Sequence, residues 1–128
     1  MGSADIEELV ERMRESGLKT TAELSPQLSQ AARPIQVAAY RIVQEALTNA
    51  MRHGMPGMPV PVRVSVENGA VIIEVHSRPK VFAPRAEGVG HGIQGMRERA
   101  ALAGGSAWIG FDRGWFRVHA RLPLEVQT

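Results

Sequence analysis

The sequence predicts an α+β fold, in which a mixed sheet of about five strands is covered by about three helices as a two-layer sandwich. Three segments carry apolar residues at the spacing of amphipathic helices, and five shorter segments have the composition of strands. Two pairs of these strands are separated by turn residues that are typical of antiparallel hairpins. At 128 residues, the chain has the length of one domain.

The N-terminal half of the chain predicts a helix, a strand, a loop and a long helix. The helices are predicted from apolar residues every three or four positions, as at Tyr40, Val43 and Leu47, and each is followed by a glycine that can end it. The strand contains adjacent threonines, and the polar segment after it is bounded by prolines. These elements cover, in order, residues 5–16, 18–24, 25–34 and 35–53.

The C-terminal half predicts two hairpins, separated by a loop and a third helix. Asn68-Gly69 between the first two strands is the strongest short-range signal for a hairpin. Glycines open and close the third helix, and Asp112-Arg113-Gly114 joins the strands of the second hairpin. The elements are strands over 60–66 and 71–75, a mobile loop over 76–90, a helix over 92–103, and strands over 106–111 and 115–122.

The composition excludes several classes of function. The chain has no cysteine, which rules out disulfides, thiolate zinc sites and cysteine nucleophiles. A net charge of +2 does not demand a nucleic-acid partner, and no apolar run approaches the ~20 residues of a membrane helix. We interpret residues 1–3 as a cloning scar, residues 4–128 as a single domain, and the location as cytoplasmic.

Three polar side chains of the long helix form the first candidate site. Glu45, Asn49 and Arg52 fall within about 60° of one another around the helix axis. They lie opposite Val43 and Leu47, so we expect them to face outward together. Carboxylate and amide oxygens one turn apart can hold a hard cation such as Mg²⁺. The alternative is a solvated helix face with an ordinary mixture of charges.

A glycine-rich string forms the second candidate site. Gly88, Gly90 and Gly92 free the backbone to approach a ligand, and a helix starts directly after them. The unpaired amides and positive dipole end of that helix can hold phosphate. The Gly-Lys-Ser/Thr of a P-loop is missing, and a loop without a ligand is the alternative.

These two segments resemble the motifs of one family. Residues 40–53, YRIVQEALTNAMRH, closely resemble the N box of sensor histidine kinases, and residues 90–100, followed by Gly104-Gly105, resemble their glycine box. The motifs stand in the family's order, and the resemblance extends from about Leu9 to Leu124. It implies the ATP-binding catalytic domain of a two-component histidine kinase with the Bergerat fold of the GHKL superfamily, of the class that pairs with LuxR-like response regulators.

The resemblance also implies cofactors and roles for individual residues. ATP and Mg²⁺ are the implied cofactors. Glu45 resembles the N-box acid that orients or activates a water or the attacking group near the γ-phosphate, and Asn49 resembles the Mg²⁺ ligand. The stretch from Arg78 to Val89 resembles the ATP lid. The residues expected to contact the nucleotide are Asn49, Arg52, His53, Ser77, Gly88, Gly90, His91, Gly92 and Ile93.

One family motif is altered in this chain. Histidine kinases usually carry Asp-x-Gly-x-Gly after the strand between the two boxes, and its aspartate accepts a hydrogen bond from the adenine amino group. The aligned positions hold Ser77, Pro79 and Val81, and no aspartate occurs between Asp5 and Asp112. A neutral hydrogen bond in place of a charge-assisted one weakens binding by roughly 1–2 kcal/mol.

The resemblance further implies that the chain is a fragment of a larger, dimeric kinase. No histidine precedes His53, and no pair of long helices that could form a dimerisation stem is predicted. The implied partners are the dimerisation and phosphoacceptor domain of the same kinase and a LuxR-like response regulator. We expect an isolated monomer that does not autophosphorylate, with no nucleic acid bound and no membrane contact by this domain. Membrane anchoring of the parent stays open.

Two other functions fit the same fold. In the first, the nucleotide site has degenerated, and the domain serves as a protein-interaction module; the altered residues Ser77, Pro79 and Val81 favour it, and Glu45 and Asn49 oppose it. In the second, the domain is an anti-sigma-factor serine kinase. The Gly-Met-Arg-Glu-Arg string of the glycine box speaks against that possibility.

Overall fold

The computed structural model describes residues 2–80 and 89–125, and of residues 89–91 only the backbone. The strands form one mixed sheet in the order β1-β2-β3-β5-β4; β1 is parallel to β2, and the other neighbours are antiparallel. The α+β prediction is therefore confirmed. The elements are α1 (Ser3–Glu15), β1 (Thr20–Leu24), a short 3-10 helix (Pro26–Gln30), α2 (Arg33–His53), β2 (Val60–Glu67), β3 (Ala70–Ser77), α3 (Val89–Leu102), β4 (Ser106–Asp112) and β5 (Trp115–Pro123).

The helices cover an apolar face of the sheet. Val43 and Leu47 of α2 are fully buried against it, and burying each such side chain contributes about 1.5–3 kcal/mol. Side chains at alternate strand positions point to the opposite face, where His119 Nδ1 lies 3.4 Å from a carboxylate oxygen of Glu74. One row of the apolar face runs across four strands and comprises Val62, Val75, Val118 and Ile109.

The prediction of a loop over 25–34 is wrong. Pro26–Gln30 forms the 3-10 helix, with the Ser25 hydroxyl accepting a hydrogen bond from the Gln27 N–H and with Leu28 fully buried. The long helix also begins at Arg33 rather than at residue 35, with Pro34 in its first turn. Proline is favoured at helix starts because its fixed φ suits the first turn and its missing N–H would have no partner there. A loop was predicted because the segment is polar and bounded by Pro26 and Pro34.

The prediction of a mobile loop over 76–90 is wrong at both ends. His76 and Ser77 continue β3 and pair with Arg117 and Phe116 of β5. The alternation of half-buried and buried positions extends two residues beyond the apolar run. The strand was predicted to end too early because His76 and Ser77 are polar. The third helix starts at Val89 instead of residue 92. The remainder of the expected lid, residues 81–88, lies outside the described residues.

Two local predictions are confirmed. Asn68 and Gly69 both have positive φ, +49° and +73°, as expected for the two-residue turn of a β-hairpin. The same geometry recurs in the second hairpin at Arg113 and Gly114. None of the helices in the part of the chain described has both the length and the apolar character that crossing a membrane requires.

Candidate functional site

The first turn of α3 lies over the polar face of α2. A Cβ built on Gly92 would lie 3.4 Å from Oε2 of Glu45 and 3.9 Å from Oδ1 of Asn49. The two segments that the sequence singled out therefore meet in space, and both side-chain oxygens face the position of Gly92. Because glycine has no Cβ, the space between position 92 and these two oxygens stays open. We call this space the Gly92 gap.

The expectation that Glu45, Asn49 and Arg52 face outward together needs correction. Asn49 is only 8% exposed, Glu45 is half-buried, and Arg52 is exposed. A helical wheel accounts for one core, beneath α2, whereas α3 packs on the flank of α2 as a second apolar contact. The three side chains consequently differ in exposure, with the middle one, Asn49, the most buried.

Backbone hydrogen bonds join the segment after α2 to the segment after β3. The N–H of Met55 donates to the carbonyl of Arg78 at 2.7 Å, and the N–H of Lys80 donates to the carbonyl of His53 at 2.8 Å. Between these bonds, Gly54 pairs with Pro79. This short ladder, which we call the 53–55/78–80 ladder, was not foreseen, because the residues from Arg78 onward resemble the ATP lid and were predicted to form a mobile loop.

The other predicted residues lie near this ladder or at the start of α3. Ser77 is the last residue of β3, 6% exposed and on the helix-covered face. His53, half-buried, is the last residue of α2. Gly92 and Ile93 are partly buried in the first turns of α3. The backbone of Gly90 and His91 belongs to the same helix, while Gly88 lies outside the described residues.

The remaining histidines of the described chain lie away from this site. His76 is on the open face of the sheet, where partial burial, and then the positive charge of Arg117, lower its pKa. His119 lies on the same face. Neither residue reaches the Gly92 gap, because the sheet itself separates the two faces.

The site offers two kinds of ligand-binding groups: side-chain oxygens that can coordinate a cation and backbone amides that can donate hydrogen bonds to a phosphate. Asn49 and Glu45 present oxygens, the ligand atoms that Mg²⁺ prefers, and the start of α3 presents backbone amides at the positive end of a helix dipole. No group of three His, Asp or Glu side chains among the described residues could hold a metal ion alone. A cation here would therefore need oxygens from water and from a phosphate, as Mg²⁺ usually does in phosphate sites.

Comparisons with known proteins identify the family of the chain. The family model described as histidine kinase-, DNA gyrase B-, and HSP90-like ATPase matches residues 35–126. The oxygen sensor histidine kinase NreB of Staphylococcus carnosus (strain TM300) is 36% identical over 77 residues, which are 59% of this chain and 22% of that protein. The chain thus spans about a fifth of the length of this curated relative.

Solved structures of low sequence identity share the fold. The catalytic domain of histidine kinase ThkA has a TM-score of 0.71 at 14% identity, over 99% of this chain and 97% of that one. Mycobacterial sensor histidine kinase MprB has a TM-score of 0.68 at 16% identity, over 99% of each chain. With the family match covering most of the chain, the chain belongs to the histidine kinase-, DNA gyrase B-, and HSP90-like ATPases.

Proposed function

We propose that this domain binds Mg²⁺-ATP at the Gly92 gap and transfers the γ-phosphate to a histidine on a separate dimerisation domain of its parent kinase. The observation that carries the proposal is the convergence of the Glu45 and Asn49 oxygens on the open position at Gly92. The gap is bounded by two oxygen donors and by the positive end of α3, which suits a triphosphate with a divalent cation.

In this proposal each residue has a separate task. Asn49 Oδ1 would hold the cation, and a bound Mg²⁺ would supply positive charge against the phosphates. The Glu45 carboxylate orients the attacking group near the γ-phosphate. Arg52 and His53 contact phosphate oxygens from the end of α2, and the backbone of residues 90 and 91, with Gly92 and Ile93, surrounds the phosphates.

The metal assignment predicts Mg²⁺-dependent binding. The affinity for a non-hydrolysable ATP analogue should rise when Mg²⁺ is added, and Asn49→Ala should remove most of that gain, about 10-fold, because a charge-assisted contact contributes about 1.5–3 kcal/mol. Calorimetry with and without Mg²⁺ measures both quantities. Gln44→Ala, a half-buried amide on the same helix, is the matched control. Equal affinities with and without Mg²⁺ in the parent protein would contradict the assignment.

Ser77 is the proposed contact for the adenine base, in the position where relatives have aspartate. Ser77→Asp should tighten ATP binding by up to about 30-fold and leave GTP binding no better, because a carboxylate accepts from the amino group of adenine and repels the carbonyl of guanine. Calorimetry with each nucleotide measures the difference. Pro79 holds the adjacent backbone, so the pair Ser77→Asp and Ser77→Asp/Pro79→Gly is compared. If both variants bind ATP no better than the parent while remaining folded, the base contact lies elsewhere.

The same measurements separate catalysis from a docking function. If the unsubstituted domain does not bind the Mg²⁺-ATP analogue, the degenerate interaction module is favoured, and the altered residues Ser77 and Pro79 are its supporting observation. If the unsubstituted domain binds the analogue, the kinase function is supported. The partners in the kinase proposal are the dimerisation and phosphoacceptor domain and a LuxR-like response regulator, in the cytoplasm. The larger parent kinase is dimeric, and the isolated domain is monomeric.

A further inference from the structure

The side chain of Arg78 extends away from the 53–55/78–80 ladder and packs on the turn of the β4–β5 hairpin. Its guanidinium carbon lies 4.3 Å from the ring centroid of Trp115, and Nη1 contacts the carbonyl of Gly114 at 3.5 Å. A Cβ on Gly114 would lie 2.8 Å from that same nitrogen, so a larger residue at position 114 would require the guanidinium to shift from this position.

Arg78 therefore connects three elements. Its carbonyl accepts from Met55 beyond the end of α2, its side chain stacks on Trp115 at the start of β5, and its backbone continues β3 directly from Ser77. Ends of strands fray unless tertiary contacts hold them. At the end of β3, the contacts of Arg78 with Met55 and with Trp115 therefore fix the main chain one residue after the buried Ser77.

We propose that Arg78 is a positioning residue of the nucleotide site, which holds Ser77 in place by stacking on Trp115. This inference rests on the proposed function, in which Ser77 contacts the base. A turn with glycine at position 79 would leave the backbone after Ser77 conformationally free. Arg78 and Pro79 instead fix this backbone before the nucleotide binds. A preformed backbone lowers the entropy cost of binding.

The stack predicts a defined loss of affinity. Arg78→Ala should weaken binding of the Mg²⁺-ATP analogue about five-fold, within the range expected when a partly desolvated cation–π contact is lost. Arg78→Lys should recover part of it, because the ammonium group can still lie over the ring. Arg121→Ala, which removes an exposed arginine elsewhere on β5, is the matched control and should leave affinity unchanged.

A second measurement separates positioning from general stability. Amide hydrogen exchange by NMR in the protein without nucleotide should be faster at Met55 and Lys80 in Arg78→Ala, with the core amides of β2 and β5 unchanged. Trp115→Leu should produce the same changes. The double variant should bind no more weakly than Arg78→Ala alone, because both substitutions remove one contact.

The outcomes distinguish this inference from the function on which it rests. If the unsubstituted domain binds no nucleotide, both the proposed function and the positioning role fail. If the unsubstituted domain binds nucleotide and Arg78→Ala binds it equally well, the positioning role alone is overturned. The same holds if exchange at Met55 and Lys80 is unchanged in Arg78→Ala. Loss of affinity accompanied by faster exchange throughout the core would also overturn it, since Arg78 would then be a stabilising residue only.

Discussion

Glu45→Gln is expected to slow phosphoryl transfer by about 100-fold or more, with ATP affinity changed by less than about three-fold. Glutamine has nearly the same shape and helix propensity as glutamate, so α2 and the Gly92 gap should persist. The change removes the charge and the proton-accepting oxygen that face the gap. Those properties matter when the attacking group approaches the γ-phosphate, and less in the ground-state complex.

The measurement needs the parent kinase that contains this domain. Its autophosphorylation rate at saturating ATP is compared with nucleotide affinity measured by calorimetry. Glu98→Gln is the matched control, because Glu98 is an exposed glutamate of α3 that accepts from the Gln94 side chain at 3.2 Å. A Glu45→Gln kinase that autophosphorylates at the parent's rate would rule out the role. A parallel fall in affinity and rate would make Glu45 a binding residue instead.

Most of the fold could be predicted because its signals are local. The helical stripe that includes Val43 and Leu47, and the positive-φ turn at Asn68-Gly69, depend on spacing and on residue type within a few positions. The errors occurred where a residue has two local meanings. Pro26 and Pro34 are helix breakers in a helix interior and helix starters in a first turn, and only packing, here the burial of Leu28, selects between them.

The candidate site was predictable in composition but not in three dimensions. Motif spacing named Glu45, Asn49 and Gly92, yet their convergence depends on α3 lying across α2, which no local pattern specifies. The burial of Asn49 was missed for the same reason. The contact between Arg78 and Trp115 joins residues on separate elements, so the sequence carried no signal for it.

Gly92→Ala is expected to stabilise the protein and weaken nucleotide binding at the same time. Alanine in place of glycine within a helix adds about 0.5–1 kcal/mol, which raises the melting temperature by about 2–5 °C. The new methyl group would lie 3.4 Å from Oε2 of Glu45, an ordinary contact distance, so the protein without nucleotide accommodates it. The same methyl fills the gap proposed for the cation and phosphates, and affinity for the Mg²⁺-ATP analogue should fall about 10-fold or more, since displaced charge-assisted contacts contribute about 1.5–3 kcal/mol each.

Gly95→Ala provides the matched control for this experiment. Gly95 lies one turn further along α3, and a Cβ there meets no atom within 4 Å. Its replacement should raise the melting temperature by a similar amount and leave affinity unchanged, because it is remote from Glu45 and Asn49. If Gly92→Ala binds the analogue as tightly as the parent, the gap does not hold the phosphates. If both variants lose affinity equally, the cause is a stiffer α3, and the open space at Gly92 has no special role.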